Sequence, residues 1–355
     1  MTMRTIYWDT ANNQVKTIDQ RELPGKLVWV SLRTGKEVAD AIQGMVIRGA
    51  PVIGAAGAFG IVLDAFQSHA NTLVELAAEL AGSRRTLQTA RPTAVNLRWA
   101  LSRMDRIFTA YDGTLEGMRK LLLEEAERIA EEDIQTSKRM AAFGSTVIED
   151  GDVIIHHCNT GSLATVEGGT ALGAIMAAWK QGKRLKVLVD ETRPLLQGAR
   201  LTAWELQQAG IPFEIICDGA AGYFLQKRLA TKVLFGADRV AANGDLANKI
   251  GTYMLANAAK ANAMPVYAVF PISSIDPACV NGEQIEIEFR GEQEVLDLVL
   301  LGKKTSPEGA HALNPAFDIT PNHLITAWIT DRGIIYPPFN MDSPENPGNL
   351  EGITK

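Results

Sequence analysis

The stretch GDVIIHHCNTGSLATVEGG, residues 151–169, decides how the carboxyl-terminal half of this chain folds. Its apolar run at 153–155 predicts a buried strand, and the small residues after it must turn before a helix begins near Ala171. Cys158 lies at that turn. Open α/β sheets bind ligands at the carboxyl ends of their strands, beside free backbone N–H groups. The stretch therefore predicts a functional site at Cys158.

The same residues also allow a simpler interpretation. Free cysteine often behaves as a small apolar core residue, and it is functional where its surroundings favour the thiolate. His156 and His157 point to opposite faces of the predicted strand, so one or both can be ordinary hydrogen-bonded histidines rather than partners of the thiol. The small residues that follow Cys158 favour the functional interpretation.

The pattern of elements changes near residue 146. Short strand-like segments between residues 4 and 30 precede helical spacing over 72–87, 93–110 and 114–140. Beyond residue 150, strands alternate with helices, which predicts a mostly parallel sheet covered on both faces. The predicted strands are 153–157, 185–190, 213–217, 232–236 and 266–270.

These patterns predict an α/β protein with two domains and a tail. Residues 1–145 form a mainly helical amino-terminal domain with a small β-sheet, and residues 146–340 form a Rossmann-like domain. Residues 341–355 are rich in Pro, Asn, Gly and acidic side chains, which predicts a flexible tail.

Composition limits the classes of partner. The 355 residues carry a net charge of −6, which offers no basic field for nucleic acid or an anionic membrane and favours a small-molecule partner. No run of eighteen apolar residues or amino-terminal leader is evident, so we expect a cytoplasmic protein. Cys158, Cys217 and Cys279 form no C-x-x-C pair, which fits reduced thiols, and no metal site is predicted.

A glycine-rich helix is predicted to begin near Pro51. Gly54, Gly57 and Gly60 superficially resemble a dinucleotide-binding loop, but no βαβ strand precedes them and no acidic residue follows at the required distance. Close helix packing explains the spacing better.

The start of that helix predicts an anion site. Arg48, Gly49 and Ala50 lie where backbone N–H groups and the helix dipole attract anions, and a guanidinium binds phosphate bidentately. Arg91, just before Pro92, is predicted to be a second cation near a helix start. Each arginine, taken alone, is also compatible with an ordinary surface residue.

Polar residues follow two of the predicted strands. Asp190 and Gln197 lie in one short loop after the strand residues at 186–189, on the expected ligand-binding edge. Asp238 follows the strand at 232–236, and Asn248 and Lys249 are predicted to open the next helix. Burial would raise the pKa of Asp238 and suit it to act as an acid near neutrality, whereas an aspartate that merely caps a turn is the alternative.

Taken together, the motifs resemble the methylthioribose-1-phosphate isomerase family, within a wider family that includes regulatory subunits of the translation-initiation guanine-nucleotide exchange factor. They are spread over nearly the whole chain. The motifs are IRGAP (47–51), RPTAVNLRWA (91–100), HHCNTGSLAT (156–165), DETRPLLQGARLTAWEL (190–206), GADRVAANGDLANKIGTY (236–253) and NPAFDITP (314–321).

The resemblance implies an aldose–ketose isomerase that acts on 5-methylthio-D-ribose 1-phosphate in methionine salvage, with 5-deoxyribose 1-phosphate as a further candidate substrate. It implies a homodimer, an active site between the domains and no cofactor. Cys158 and Asp238 match the catalytic positions of the family. The matching substrate-binding positions are Arg48, Gly49, Ala50, Arg91, Gln197, Asn248 and Lys249.

Two alternatives share the fold. A ribose-1,5-bisphosphate isomerase needs a second phosphate site, and a nucleotide-sensing regulatory subunit binds a phosphate ligand without turning it over. Tyr223, Phe224 and Phe270 predict an apolar pocket for the substituent on the fifth carbon of the sugar, which disfavours the bisphosphate. The presence of both Cys158 and Asp238 disfavours the regulatory subunit.

Overall fold

The computed structural model describes residues 3–92 and 94–339, and the chain divides into two compact units. The first unit comprises the chain up to Arg139 together with Thr160–Gly173, and the second comprises Met140–Asn159 and the chain from Ala174 onward. A single boundary in sequence, as predicted at residue 146, does not express this return of Thr160–Gly173 to the first unit. The predicted tail at 341–355 lies outside the described residues.

The first unit begins with a small antiparallel sheet and continues as helices, which confirms the predicted architecture. The α3 helix begins with a capping box, in which the Thr72 hydroxyl accepts from the Glu75 N–H and the Glu75 side chain accepts from the Thr72 N–H. The elements are β1 (Ile6–Asp9), β2 (Gln14–Ile18), β3 (Trp29–Leu32), α1 (Gly35–Gln43), α2 (Ala50–Gln67), α3 (Leu73–Ala90), α4 (Val95–Thr109) and α5 (Leu115–Thr146).

The α2 helix forms the centre of the first unit. A Cβ placed on Gly54 would lie 3.0 Å from the Asn96 carbonyl oxygen, and one on Gly60 would lie 2.9 Å from Leu87. These close approaches to α4 and α3 confirm that the glycine spacing serves helix packing. Among the described helices, α2 alone is long and apolar enough to span a membrane, but 72% of it is buried, as in a core helix of a soluble protein.

The returning segment Thr160–Gly173 is anchored within the first unit by hydrogen bonds. The Thr5 N–H donates to the Val166 carbonyl (2.8 Å), and the Gln20 side chain donates to the Leu163 carbonyl (2.7 Å). The Asp133 carboxylate on α5 accepts from the Val166 N–H at 2.6 Å. Because these contacts satisfy the backbone of an irregular segment, they fix its conformation.

The second unit contains a seven-stranded sheet in the order β16-β15-β10-β7-β4-β5-β6, parallel except for the edge strand β16. This confirms the predicted mostly parallel sheet. Its strands are β4 (Val153–His156), β5 (Lys186–Asp190), β6 (Phe213–Ile216), β7 (Lys232–Phe235), β10 (Val266–Val269), β15 (Ala327–Thr330) and β16 (Gly333–Ile335).

A smaller four-stranded sheet in the order β11-β8-β9-β14 follows β7 along the chain. Its strands are β8 (Arg239–Ala241), β9 (Leu246–Lys249), β11 (Ile275–Asp276) and β14 (Phe317–Thr320). The remaining elements are the hairpin of β12 (Val299–Leu300) and β13 (Lys303–Lys304), and the helices α6 (Ala171–Lys180), α7 (Ala203–Ala209), α8 (Ala221–Gln226), α9 (Thr252–Ala261) and α10 (Gln293–Leu296).

The anchoring carboxyl group Asp133 gives the first unit a pH-dependent stability. Burial raises the pKa of Asp133 from 3.8 to about 7, although the Val166 N–H acts in the opposite direction. A raised folded-state pKa means that the stabilising contribution is present below pH 3.8 and is lost as pH rises through about 7. Asp133→Asn keeps an acceptor for Val166 but cannot ionise. We expect its advantage in unfolding free energy over the parent protein to grow from pH 4 to pH 8.

Urea denaturation at a series of pH values measures this difference, which should not exceed about 4 kcal/mol because one pKa unit corresponds to about 1.4 kcal/mol. Asp112→Asn, at an exposed position of the same unit, is the control, and its unfolding free energy should change with pH in parallel with that of the parent. If the unfolding free energy of Asp133→Asn also runs parallel to that of the parent, the raised pKa of Asp133 is contradicted.

Candidate active site

The order of strands in the main sheet reverses at β4. The chain proceeds from β4 to β5 and β6 on one side, and then places β7 and β10 on the other. Such a reversal in a parallel sheet leaves a crevice outside the carboxyl ends of the two central strands, where ligands bind. Cys158 follows β4 and Asp238 follows β7, which pairs directly with β4. The structure therefore places both predicted catalytic residues at neighbouring strand ends.

Cys158 is buried, with 8% exposure, and has a left-handed backbone with φ of 64°. Its N–H donates to the Thr192 hydroxyl at 2.9 Å, and its carbonyl accepts from the Thr202 hydroxyl at 2.7 Å. Left-handed backbone is costly for a residue with a Cβ and is maintained by surrounding contacts, often at functional sites. The two threonines supply such contacts.

The loop after β5 is itself held in place by the Asp218 carboxylate. One oxygen of Asp218 accepts from the Thr192 N–H at 2.7 Å, and the other accepts from the Arg193 N–H at 2.8 Å. The Thr192 hydroxyl donates to the Asp190 carbonyl at 2.9 Å. This chain of bonds fixes the hydroxyl that receives the Cys158 N–H.

His157 forms a buried pair with Asp190. Its Nδ1 lies 2.9 Å from Asp190 Oδ2 and its Nε2 lies 2.9 Å from the Ile250 carbonyl oxygen. Burial acts to lower the pKa of His157, but the hydrogen bond and charge of Asp190, together with Asp218 and the Ile250 carbonyl, raise that pKa overall. Burial also raises the pKa of Asp190, against the effect of His157. Asp190 therefore favours the protonated form of the His157 ring.

His156 is the ordinary hydrogen-bonded histidine that the sequence allowed. Its Nδ1 lies 2.9 Å from the Leu234 carbonyl oxygen on the neighbouring strand β7. Burial lowers the pKa of His156 to about 3. The ring is consequently neutral and structural.

His157, Asp190 and Asp218 place ligand atoms within 4.8 Å of one another, a spacing compatible with a metal ion. Both nitrogens of His157 already face oxygen acceptors, however, and both oxygens of Asp218 accept backbone N–H groups. A ligating imidazole needs an unprotonated nitrogen directed at the metal. The cluster is therefore explained by its hydrogen bonds.

Asp238 is half-buried and connects the two sheets of the second unit. It lies three residues beyond β7, and its N–H donates to the Ala247 carbonyl of β9 at 2.9 Å. The same strand carries Asn248 and Lys249. The structure thus brings three of the predicted site residues onto one local framework.

The prediction that Asn248 and Lys249 open a helix is wrong. Both end strand β9 and pair with residues of β14, and α9 begins only at Thr252. Asn248 is buried, and its side chain donates to the Thr252 hydroxyl at 2.9 Å. Lys249 is also buried, with Nζ 3.0 Å from the Ala316 carbonyl oxygen and 4.6 Å from the centre of the Phe317 ring. The lysine is thereby a desolvated cation held in a defined position.

Gln197 is 4% exposed and precedes a single π-helical turn, Gly198–Thr202. Turns of this kind occur frequently at functional sites. A Cβ on Gly198 would collide with the Asp190 carbonyl oxygen, so glycine lets this turn lie directly against the end of β5. Gln197 and Asp190 therefore share one part of the loop, as predicted.

In the first unit, Arg48, Gly49 and Ala50 occupy the predicted helix start. Gly49 caps α2 with φ of 110°, and a Cβ there would collide with the backbone of Ala164 in the returning segment. Arg48 is 5% exposed, and its Nε donates to the Gln20 side chain at 3.0 Å. The turn is consequently fixed by packing and carries a buried guanidinium.

Arg91 does not lie at a helix start. The α3 helix extends to Ala90, so Arg91 is its C-cap, and α4 begins at Val95. A nitrogen of the Arg91 guanidinium lies 3.0 Å from the Met45 sulfur. The prediction of a helix-start cation fails because Pro92 falls in the connection rather than in the first turn of α4.

The aromatic residues also differ from expectation. Phe270 is fully buried in the core of the second unit, with its ring 5.5 Å from that of Trp328. Tyr223 is 56% exposed. Among the three predicted aromatic pocket residues, only Phe224 is neither in the core nor largely exposed.

Sequence reasoning missed Thr192 and Thr202, which fix the Cys158 backbone. Thr192 belongs to the polar loop that drew attention to Asp190, but threonine is common in loops. The useful signal was the combination of small and hydroxyl side chains around the Pro194–Gly198 turn. Their target lies more than thirty residues away in sequence, so no local pattern identifies it.

Comparison with known proteins identifies relatives that cover nearly the whole chain. The sequence model of the Initiation factor 2 subunit family matches residues 46–337. The chain is 49% identical over 352 residues to a protein of Pelotomaculum thermopropionicum named methylthioribose-1-phosphate isomerase, covering 99% of this chain and 95% of that relative. It is 48% identical over 339 residues to a protein of the same name from Thermotoga maritima, covering 96% and 97%.

Two solved structures are similar in fold and sequence. One is 5-methylthioribose 1-phosphate isomerase from Pyrococcus horikoshii, with 41% identity, a TM-score of 0.87 and coverage of 98% of this chain and 94% of that one. The other is described as translation initiation factor eIF-2B, subunit delta, from A. fulgidus, with 40% identity, a TM-score of 0.83 and coverage of 95% and 97%.

The left-handed backbone of Cys158 yields a prediction about stability. Glycine adopts this conformation without a steric cost, whereas alanine does not. We expect the unfolding free energy of Cys158→Gly, measured by urea denaturation, to equal that of Cys158→Ala or to exceed it by up to about 1 kcal/mol. Cys279 is buried without a positive φ, so Cys279→Gly should be less stable than Cys279→Ala by about 0.4–1 kcal/mol. The same order at both positions would contradict the strain at Cys158.

Proposed function

The chain belongs to the Initiation factor 2 subunit family, and we infer from the comparisons within it that this protein is an aldose–ketose isomerase. It converts 5-methylthio-D-ribose 1-phosphate into 5-methylthio-D-ribulose 1-phosphate, a reaction of methionine salvage. The structural observation that best supports this function is the placement of Cys158 and Asp238 after the neighbouring strands β4 and β7, at the switch point of a parallel sheet.

The reaction explains why an acid is needed. The phosphate on the first carbon prevents the sugar from opening to a free aldehyde, so the bond between that carbon and the ring oxygen must break directly. The ring oxygen becomes the hydroxyl of the fourth carbon and takes up one proton. We propose that Asp238 supplies it, because a half-buried carboxyl group at a strand end is suited to general-acid catalysis.

The second half of the reaction moves hydrogen between carbons. The second carbon loses its C–H hydrogen to the first carbon, and its hydroxyl loses a proton as the carbonyl forms. Hydrogen transfers either through a base and an enediol-like species or as a hydride in a dry pocket. The 8% exposure of Cys158 supports a role beside these carbons in either route, as base or as a neutral thiol that stabilises the transition state. Oxidation at one carbon balances reduction at the other, so no cofactor is required.

We propose that the substrate-binding residues are those implied by the sequence motifs. A helix start with a buried arginine, as at Gly49 and Arg48, favours a phosphate, and the desolvated Lys249 adds a fixed positive charge. The proposed binding residues are Arg48, Gly49, Ala50, Arg91, Gln197, Asn248 and Lys249.

We propose that the enzyme is a cytoplasmic homodimer. Val299, Leu300 and Leu301 on the β12–β13 hairpin are 56%, 64% and 93% exposed, and contiguous apolar exposure supports burial against a second copy in a homodimer. No disulfide joins the cysteines among the described residues, which fits a cytoplasmic enzyme.

A regulatory subunit is the second candidate function. The likeness to the A. fulgidus protein, which is described as a subunit of a translation initiation factor, favours it. The relatives named as isomerases are more similar to this chain in sequence, however, so the isomerase remains the proposed function.

An isomerase assay on the purified chain tests the function and the catalytic pair together. We expect the parent protein to form the ketose from 5-methylthioribose 1-phosphate, and Cys158→Ser and Asp238→Asn each to lower kcat at least a hundredfold, as expected for loss of acid–base groups. Cys279→Ser and Asp152→Asn remove equivalent groups elsewhere in the second unit and should retain kcat. Near-normal turnover by Cys158→Ser or Asp238→Asn would refute the assigned roles, and no turnover by the parent would refute the function.

A further inference from the structure

Two buried oxygen atoms, one on the last residue of β5 and one in the loop that follows it, lack a hydrogen-bond donor. Asp190 is 1% exposed and Gln197 is 4% exposed, yet Asp190 Oδ1 and Gln197 Oε1 have no partner among the described residues. Native proteins pair nearly all buried polar groups, so each exception requires an explanation. Two unpaired acceptors, at the end of β5 and in the loop after it, point to a ligand that supplies donors.

The orientation of the Asp190 carboxylate is fixed by its other oxygen. Asp190 Oδ2 lies 2.9 Å from His157 Nδ1, and His157 Nε2 lies 2.9 Å from the Ile250 carbonyl oxygen. Since both ring nitrogens are engaged, the imidazole holds the carboxylate in one rotamer. The unpaired Oδ1 is therefore a preorganised acceptor.

This acceptor lies at the site already described. Thr192 connects Asp190 to Cys158, because its hydroxyl donates to the Asp190 carbonyl at 2.9 Å and accepts from the Cys158 N–H at 2.9 Å. The turn that follows Gln197 contributes Thr202, whose hydroxyl donates to the Cys158 carbonyl at 2.7 Å. Asp190, Gln197 and Cys158 consequently share one hydrogen-bonded framework.

The proposed substrate carries only two hydrogen-bond donors. In the furanose ring of 5-methylthioribose 1-phosphate, the first carbon bears phosphate, the fourth bears the ring oxygen and the fifth bears a thioether. The phosphate dianion only accepts hydrogen bonds and would be repelled by a carboxylate. The remaining donors are the hydroxyls of the second and third carbons, which match the two unpaired acceptors in number.

We propose that Asp190 is a substrate-contact residue whose Oδ1 accepts a hydrogen bond from one of these two hydroxyls, while Gln197 Oε1 accepts from the other. His157 is the positioning residue that holds the carboxylate for this contact. The inference rests on the proposed function, since it uses the donors of that substrate.

The test compares how strongly each protein senses a missing hydroxyl. Calorimetry in a Cys158→Ser background, which prevents turnover, gives Kd for 5-methylthioribose 1-phosphate and for its 2-deoxy and 3-deoxy analogues. We expect loss of either hydroxyl to weaken binding at least tenfold in this background. Adding Asp190→Asn should reduce the effect of one hydroxyl to less than threefold, because the acceptor that reads it is gone. Adding Gln197→Met should do the same for the other hydroxyl.

Asp152→Asn in the same background is the matched control. Asp152 is also a buried aspartate in a charge pair, with Lys232, but it precedes β4 at the opposite end of the strand. It should retain both deoxy effects. Unchanged deoxy effects in the Asp190 and Gln197 variants would overturn the inference while leaving the function intact. Failure of every protein, including the control, to bind the parent sugar phosphate would instead overturn the proposed function. If Asp190→Asn does not fold, the Gln197→Met result decides.

Discussion

The buried pair of His157 and Asp190 holds together three parts of the second unit that are distant in sequence. Through its two ring nitrogens, His157 connects the end of β4 to the end of β5 and to the chain just after β9. Removing either partner would leave a buried polar group uncompensated, so folding of this edge and geometry of the site depend on the same bond. The left-handed Cys158, the Thr192 hydroxyl and the desolvated Lys249 all lie in the segments that this pair joins.

The sequence predicted the sheet because its strands are short apolar runs that end in polar residues. VIIH at 153–156 and KVLVD at 186–190 end within one residue of the predicted positions. Cys158 and Asp238 are predicted as site residues for the same reason, since each follows such a run. What local patterns do not contain is the strand order. That β7 lies beside β4, which places the two residues at neighbouring strand ends, depends on long-range pairing.

Most of the errors arise from contacts between residues that are distant in sequence. Asn248 and Lys249 precede a helical pattern, but pairing of β9 with β14, some seventy residues later, holds them in a strand. Pro92 predicts a helix start, but it lies in the connection between α3, which ends at Ala90, and α4, which begins at Val95. Phe270 is predicted to line a pocket, but it is buried in the core, where its ring packs against that of Trp328. The Thr160–Gly173 segment joins the first unit through Thr5, Gln20 and Asp133, contacts that no local pattern predicts.

The most direct test of this account is the ratio of kcat/KM among the 5-methylthio, 5-deoxy and 5-phospho derivatives of ribose 1-phosphate, measured under one set of conditions. Exchanging one small apolar substituent for another changes binding by only about 1–3 kcal/mol, so the methylthio and deoxy compounds should both turn over. The proposed cations bind the phosphate on the first carbon, and burying a second phosphate costs hydration that only a further cation would offset, so we expect the 5-phospho compound to be the poorest substrate. A clear preference for the 5-phospho compound would contradict the account.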